Sequence, residues 1–119
     1  MDTRPKTIIC DIDGTLIEHS IPSTIASGRD ESILLEGTLD KINEWERKGY
    51  NIILLTGRKE SMRDVTIQKL SELGIYYDHL IMGVGGGQRY LINDRKPSGD
   101  DYAFAININR NEGISNIDI

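Results

Sequence analysis

At three separated places in the chain, acidic or hydroxyl side chains stand directly after short apolar runs. Asp11 and Asp13 follow Thr7–Cys10, Thr56 follows Asn51–Leu55, and Asn93 and Asp94 follow Tyr90–Ile92. Oxygen donors of this kind suit chemistry on anionic substrates when a cation shares the site, because a divalent ion can be the largest local charge there. The overall balance makes such a cation more necessary: 14 basic residues against 19 acidic ones give a formal net charge of −5. With no basic stripe in the sequence, affinity for a nucleic-acid backbone is not expected. Other chemistries lack their parts. A single cysteine, Cys10, can form no internal disulfide and belongs to no Cys/His zinc cluster. His19 and His79 have no acid at a recognisable catalytic spacing, and Gly83–Gly87 lacks the Lys-Ser/Thr ending of a P-loop.

These scattered groups act together only if the ends of the apolar runs meet at one edge. The chain alternates in a way that would bring them there. Thr7–Cys10 reads as a buried strand stopping near Asp11, and residues 37–48 carry Leu39, Ile42 and Trp45 on one helix face before Gly49. Asn51–Leu55 is a second strand, residues 61–73 a second helix ended by Gly74, and His79–Met82 a third strand. Tyr90–Ile92 and Tyr102–Ile108 are expected as the fourth and fifth. The expectation is one domain over residues 1–119, with a three-layer Rossmann-like α/β fold, a mainly parallel five-stranded sheet, the first strand central and no separate cap domain. Residues 17–36 read as an irregular flap, with room for a hairpin, and residues 109–119 as a loosely ordered tail. In such a sheet the site lies outside the carboxyl ends of the strands, where Asp11, Asp13, Thr56 and Asp94 would converge. No apolar run approaches the roughly 20 residues of a membrane helix, and no signal-peptide core is evident, so a cytoplasmic chain with no membrane partner is expected.

At this point a resemblance becomes specific. Asp11-Ile12-Asp13-Gly14-Thr15 resembles the DxDGT signature of the haloacid dehalogenase (HAD) superfamily of phosphohydrolases. Leu54-Leu55-Thr56-Gly57-Arg58 is similar to its second motif, and Leu91-Ile92-Asn93-Asp94 to its fourth, in the family's order. The resemblance implies Mg²⁺-dependent phosphomonoester hydrolysis through an aspartyl-phosphate. A carboxylate can attack a phosphate ester only when a cation screens both charges. By resemblance Asp11 is the nucleophile, and Asp13 is general acid and then base. Gly14, Thr56 and Gly57 would bind the phosphoryl group, Gly14 by letting backbone N–H groups approach it. Mg²⁺ would be held by Asp11, Asp94 and the backbone carbonyl of Asp13, an all-oxygen set that suits this ion, while Asn93 stands where the family often has a second carboxylate.

One part of the pattern is missing. The third motif supplies a Lys or Arg that neutralises nucleophile and phosphate, yet residues 83–88 hold no cation. Lys96 is the first choice for this charge, Arg89 the second and Arg58 the third. Bland readings exist for several of these positions. Thr56-Gly57 and Asn93-Asp94 could be turns, Arg58 a surface charge at a helix start, and Cys10 a small buried hydrophobe. A calcium loop does not account for DxDGT, because an EF-hand places its glycine later and closes on a glutamate. The layout is most similar to small capless phosphatases of sugar-phosphate and surface-polysaccharide pathways, which implies a phosphorylated small molecule as substrate. Without a cap, a second copy of the chain is an open candidate for a lid. Alternatives on the same site are a nucleotidase or phosphotransferase, or a catalytically weak or inactive binding domain.

Overall fold

The computed structural model describes residues 2–19 and 30–119. In chain order it has β1 (Thr7–Asp11), α1 (Thr38–Arg47), β2 (Asn51–Leu55), a 3-10 turn (Glu60–Met62), α2 (Arg63–Leu73) and β3 (His79–Ile81). The three strands lie side by side in that order, all parallel, with Asp11 abreast of Leu55 and Leu55 abreast of Ile81. This register brings the carboxyl ends of β1 and β2 to one edge.

The helices form where the apolar spacing placed them. In α1, Thr38, Ile42 and Trp45 are buried, Asp40 sits in the first turn and Arg47 in the last, so both charges complement the helix dipole. In α2, Thr66 and Leu70 are buried, and Gly74 closes the helix in the left-handed conformation. Ile8, Cys10, Ile52 and Leu54 join Ile42, Trp45 and Leu70 in the core. Burial of each large apolar side chain stabilises the fold by about 1.5–3 kcal/mol.

Three expectations need correction. First, the described residues form a three-stranded sheet in which β1 is an edge strand, not the central one of five. Tyr90–Ile92 and Tyr102–Ile108 pair with no strand, and Ile92 is 94% exposed. Between them the chain reverses. The Lys96 N–H donates to the Asp100 carbonyl at 3.0 Å, the Gly99 N–H to the Lys96 carbonyl at 2.8 Å, and Arg95 pairs with Asp101 at 2.8 Å. The two segments are the legs of an arm outside the sheet. Apolar, β-branched composition favours a strand only where an edge is offered to it. Second, the sheet is not covered on both faces as continuous apolar strands predict, since Ile8 and Cys10 are buried while Ile9 between them is exposed. Third, the tail is packed: Ile114 is buried in the core, Ile117 and Ile119 lie against it, and the Ile114 N–H donates to the Glu36 carbonyl at 2.9 Å.

At the base of the expected flap, Ile17 and Leu34 form an antiparallel bridge, and the Leu35 N–H donates to the Leu16 carbonyl at 3.0 Å. Residues 20–29 of the flap lie outside the described residues. Among the described residues, no helix is long and apolar enough to cross a membrane.

Candidate active site

The loop after β1 is anchored by its apolar members. Ile12, Leu16 and Ile17 are fully buried, and the Ile12 carbonyl accepts N–H bonds from Thr15, Leu16 and Ile17 at 3.2, 2.9 and 3.2 Å. Gly14 takes φ 84 at the crest, a conformation that costs glycine little. Its N–H donates inward to the Ile17 carbonyl at 2.8 Å. The Gly14 N–H is thus used within the turn, because closing so tight a loop requires that bond.

Beyond β2, Thr56 and Arg58 close on Asp13. The Thr56 hydroxyl donates to Asp13 Oδ2 at 3.2 Å and accepts the Arg58 backbone N–H at 3.1 Å. The Arg58 guanidinium grips Asp13 as a fork, Nε to Oδ2 at 2.9 Å and Nη2 to Oδ1 at 2.7 Å. Nη1 donates to Thr66 Oγ1 at 3.0 Å, and Nη2 lies 2.9 Å from Asp30 Oδ2. The side chains of Arg58 and Asp30 are only 4% and 2% exposed, so Arg58 is no surface charge. Burial works against its positive form, but Asp13 and Asp30 outweigh that and raise its pKa. Burial likewise pushes the Asp30 carboxyl up, yet hydrogen bonds from Ser32 and the Arg58 charge leave it below the usual carboxylate range. Sequence reading missed both roles. One signal was present: in the parallel register Asp13 and Arg58 stand at nearly equal depth past the same edge, with opposite charge.

Asp11 meets a different cation from the one ranked first. Arg89 Nη1 lies 3.0 Å from Asp11 Oδ1, while Oδ2 takes only a long bond from the Thr15 hydroxyl at 3.4 Å. Arg89, the second choice for the missing third-motif charge, reaches Asp11. Lys96 does not: it pairs with Asp94 at 3.0 Å and sits 5.0 Å from the centre of the Tyr102 ring, out on the arm. Gly57 is backed by the Gly-rich segment, where a Cβ on it would come within 2.9 Å of the Gly85 carbonyl. Cys10 is buried, and burial foremost, with Asp11 beside it, pushes its thiol up to about 12, which leaves it inert.

Mg²⁺ asks for several oxygen ligands together. Among the described residues no three His, Cys, Asp or Glu side chains are close enough to share a metal ion. Asp11, Asp13 and Asp94 thus form no such trio of side chains. The carboxylate of Asp94 is 73% exposed, paired with Lys96, and Asp94 borders a cavity of about 280 Å³ in the arm, together with Asn93 and Tyr102.

A structure described as the Pnkp1/Rnl/Hen1 complex contains a chain 29% identical to this one, with a TM-score of 0.58 over 72% of this chain and 30% of that one. A second, of the Pnkp1/Rnl/Hen1 RNA repair complex, is 34% identical with a TM-score of 0.56 over 66% and 25%. The present chain thus spans less than a third of the length of either. A crystal structure of a target protein from Vibrio cholerae, 22% identical, shares the fold with a TM-score of 0.54 over 78% of this chain and 85% of that one. No curated protein matches. The α/β fold with its parallel sheet is HAD-like. A family model described as PITM 1-3, LNS2 domain matches residues 8–92, from the first buried residue of β1 to the first leg of the arm, and the chain belongs to that LNS2 domain family.

Proposed function

We propose that this chain is a phosphatase of the small HAD type, hydrolysing a phosphorylated small molecule through an aspartyl-phosphate on Asp11. The observation that carries the reading is the Arg89 guanidinium 3.0 Å from Asp11, with Asp13 held beside it by Arg58. A guanidinium there screens the repulsion between carboxylate and phosphate ester. Asp11 Oδ2, the less committed oxygen, attacks phosphorus, and the bond from phosphorus to the ester oxygen breaks. Asp13 takes up a proton from solvent before attack and gives it to the leaving alkoxide. Asp13 then takes a proton from the water that attacks the acyl phosphate, which releases inorganic phosphate and restores Asp11. Each Asp13 oxygen accepts bonds from Arg58 or Thr56 and keeps lone-pair capacity for that proton. Thr56 serves this scheme by orienting Asp13. Mg²⁺, where bound, would add positive charge that screens the same repulsion.

A second reading is favoured by one observation, the pairing of Asp94 with Lys96: a domain that binds phosphate without turnover. One experiment separates the two. The purified chain, with Asp11→Asn as control, is assayed for phosphate release from a panel of phosphomonoesters with and without Mg²⁺. Release from at least one ester, lost in Asp11→Asn, is expected. No release under either condition overturns the hydrolase reading.

A further inference from the structure

We propose that Arg110, in the segment after the arm, is the side chain that receives the phosphate dianion at this site. This deepens the phosphatase reading and rests on it for the identity of the anion. Three carboxylates (Asp11, Asp13 and Asp30) face two guanidiniums (Arg58 and Arg89) in the cluster, so it is net negative and both cations are committed. The Gly14 N–H is turned inward and the Thr56 hydroxyl is given to Asp13. A phosphate arriving here needs a donor that none of these supplies.

Arg110 lies against the loop. A Cβ on Gly14 would sit 3.2 Å from Arg110 Cγ and 4.0 Å from its Cδ, so the aliphatic stem covers the crest between Asp13 and Thr15. Arg110 is exposed, and unlike Arg58 and Arg89 it has no carboxylate partner among the described residues. Its place is held by its neighbour. The Asn111 N–H donates to the Gly14 carbonyl at 2.8 Å, and Asn111 Oδ1 accepts the His19 N–H at 2.9 Å. Asn111 does this at φ 64, a left-handed conformation that asparagine tolerates better than most residues. A guanidinium on a stem packed over Gly14, with five donors and no carboxylate partner among the described residues, suits the bidentate capture of a phosphate.

The test is binding of inorganic phosphate, followed calorimetrically in Mg²⁺-containing buffer with the whole chain. Arg110→Met keeps the stem over Gly14 and removes the charge, and Arg110→Lys keeps a charge. The wild type binds phosphate, Arg110→Met weakens it by about tenfold or more, and Arg110→Lys recovers most of the loss. Binding equal in wild type and Arg110→Met, or none by the wild type, overturns the proposal. The two readings fail separately. Phosphate binding that depends on Arg110, without ester turnover, keeps this inference and removes the hydrolase; turnover with phosphate affinity indifferent to Arg110 does the reverse.

Discussion

Replacing Arg58 by methionine should expose how much of the site's architecture depends on one buried cation. The guanidinium is 4% exposed and answers two carboxylates, Asp30 at 2% exposure and Asp13 at 16%. Methionine fills most of the volume but leaves Asp30 charged, buried and, among the described residues, held by the Ser32 contacts. Removal of one partner from a buried ion pair costs about 3–5 kcal/mol. Asp13 keeps Thr56 and some solvent, so the lower half of that range, about 3–4 kcal/mol, is expected here. For a chain of this length that is a drop in Tm of about 10–15 °C. Urea unfolding read through Trp45, which is buried in the core and the sole tryptophan, measures it directly.

The pH dependence tests the cause. In the wild type the Asp30 carboxyl lies below its ordinary value, so its contribution is present above about pH 4 and is lost as pH falls through the lowered value. In Arg58→Met the burial that raises Asp30 persists without the cation that offset it. The orphaned group then takes up a proton as pH falls from 7 toward 4, and the variant's deficit shrinks. Adding Asp30→Asn to Arg58→Met should restore part of the lost stability at pH 7. A deficit below about 1 kcal/mol, one that does not change with pH, or a double variant no better than the single, would refute the assignment of Arg58 as a buried charge clamp.

Two further outcomes follow from the packing. Gly113 has φ 93, and a Cβ on it would run into the Glu36 backbone, whereas Gly49 at φ 76 faces open space. Gly113→Ala should therefore cost at least about 2 kcal/mol more than Gly49→Ala, which bears only the left-handed strain; equal urea midpoints would show that the tail is not packed as described. Asp94→Asn removes an exposed ion pair, so stability should change by less than about 1 kcal/mol and phosphate affinity should hold. A tenfold or greater loss of Mg²⁺-dependent turnover would instead show the arm bringing residue 94 to Asp11.

Local signals were enough for β1, β2, β3 and both helices, because short β-branched runs and a three-to-four residue apolar stripe report burial within a few turns of chain. They were also enough to single out Asp11, Asp13 and Thr56, which stand at strand ends that a parallel register must align. Arg58 looked like a helix-start charge because its burial depends on Asp13 and Asp30, both remote in sequence. Arg89 and Lys96 were nearly equivalent on paper, and only the course of the arm sends one to Asp11 and the other to Asp94.

By itself, then, the amino-acid sequence determined the element types, the parallel βα order and the acid-bearing loop after β1, since each follows from the periodicity or turn chemistry of neighbouring residues. Tertiary structure alone decided that Tyr90–Ile92 and Tyr102–Ile108 stay out of the sheet, that Ile114 enters the core and that Arg110 lies over Gly14. A strand needs an edge to bond to, and a charge needs a partner brought from elsewhere in the chain; neither partner is written in the segment that requires it.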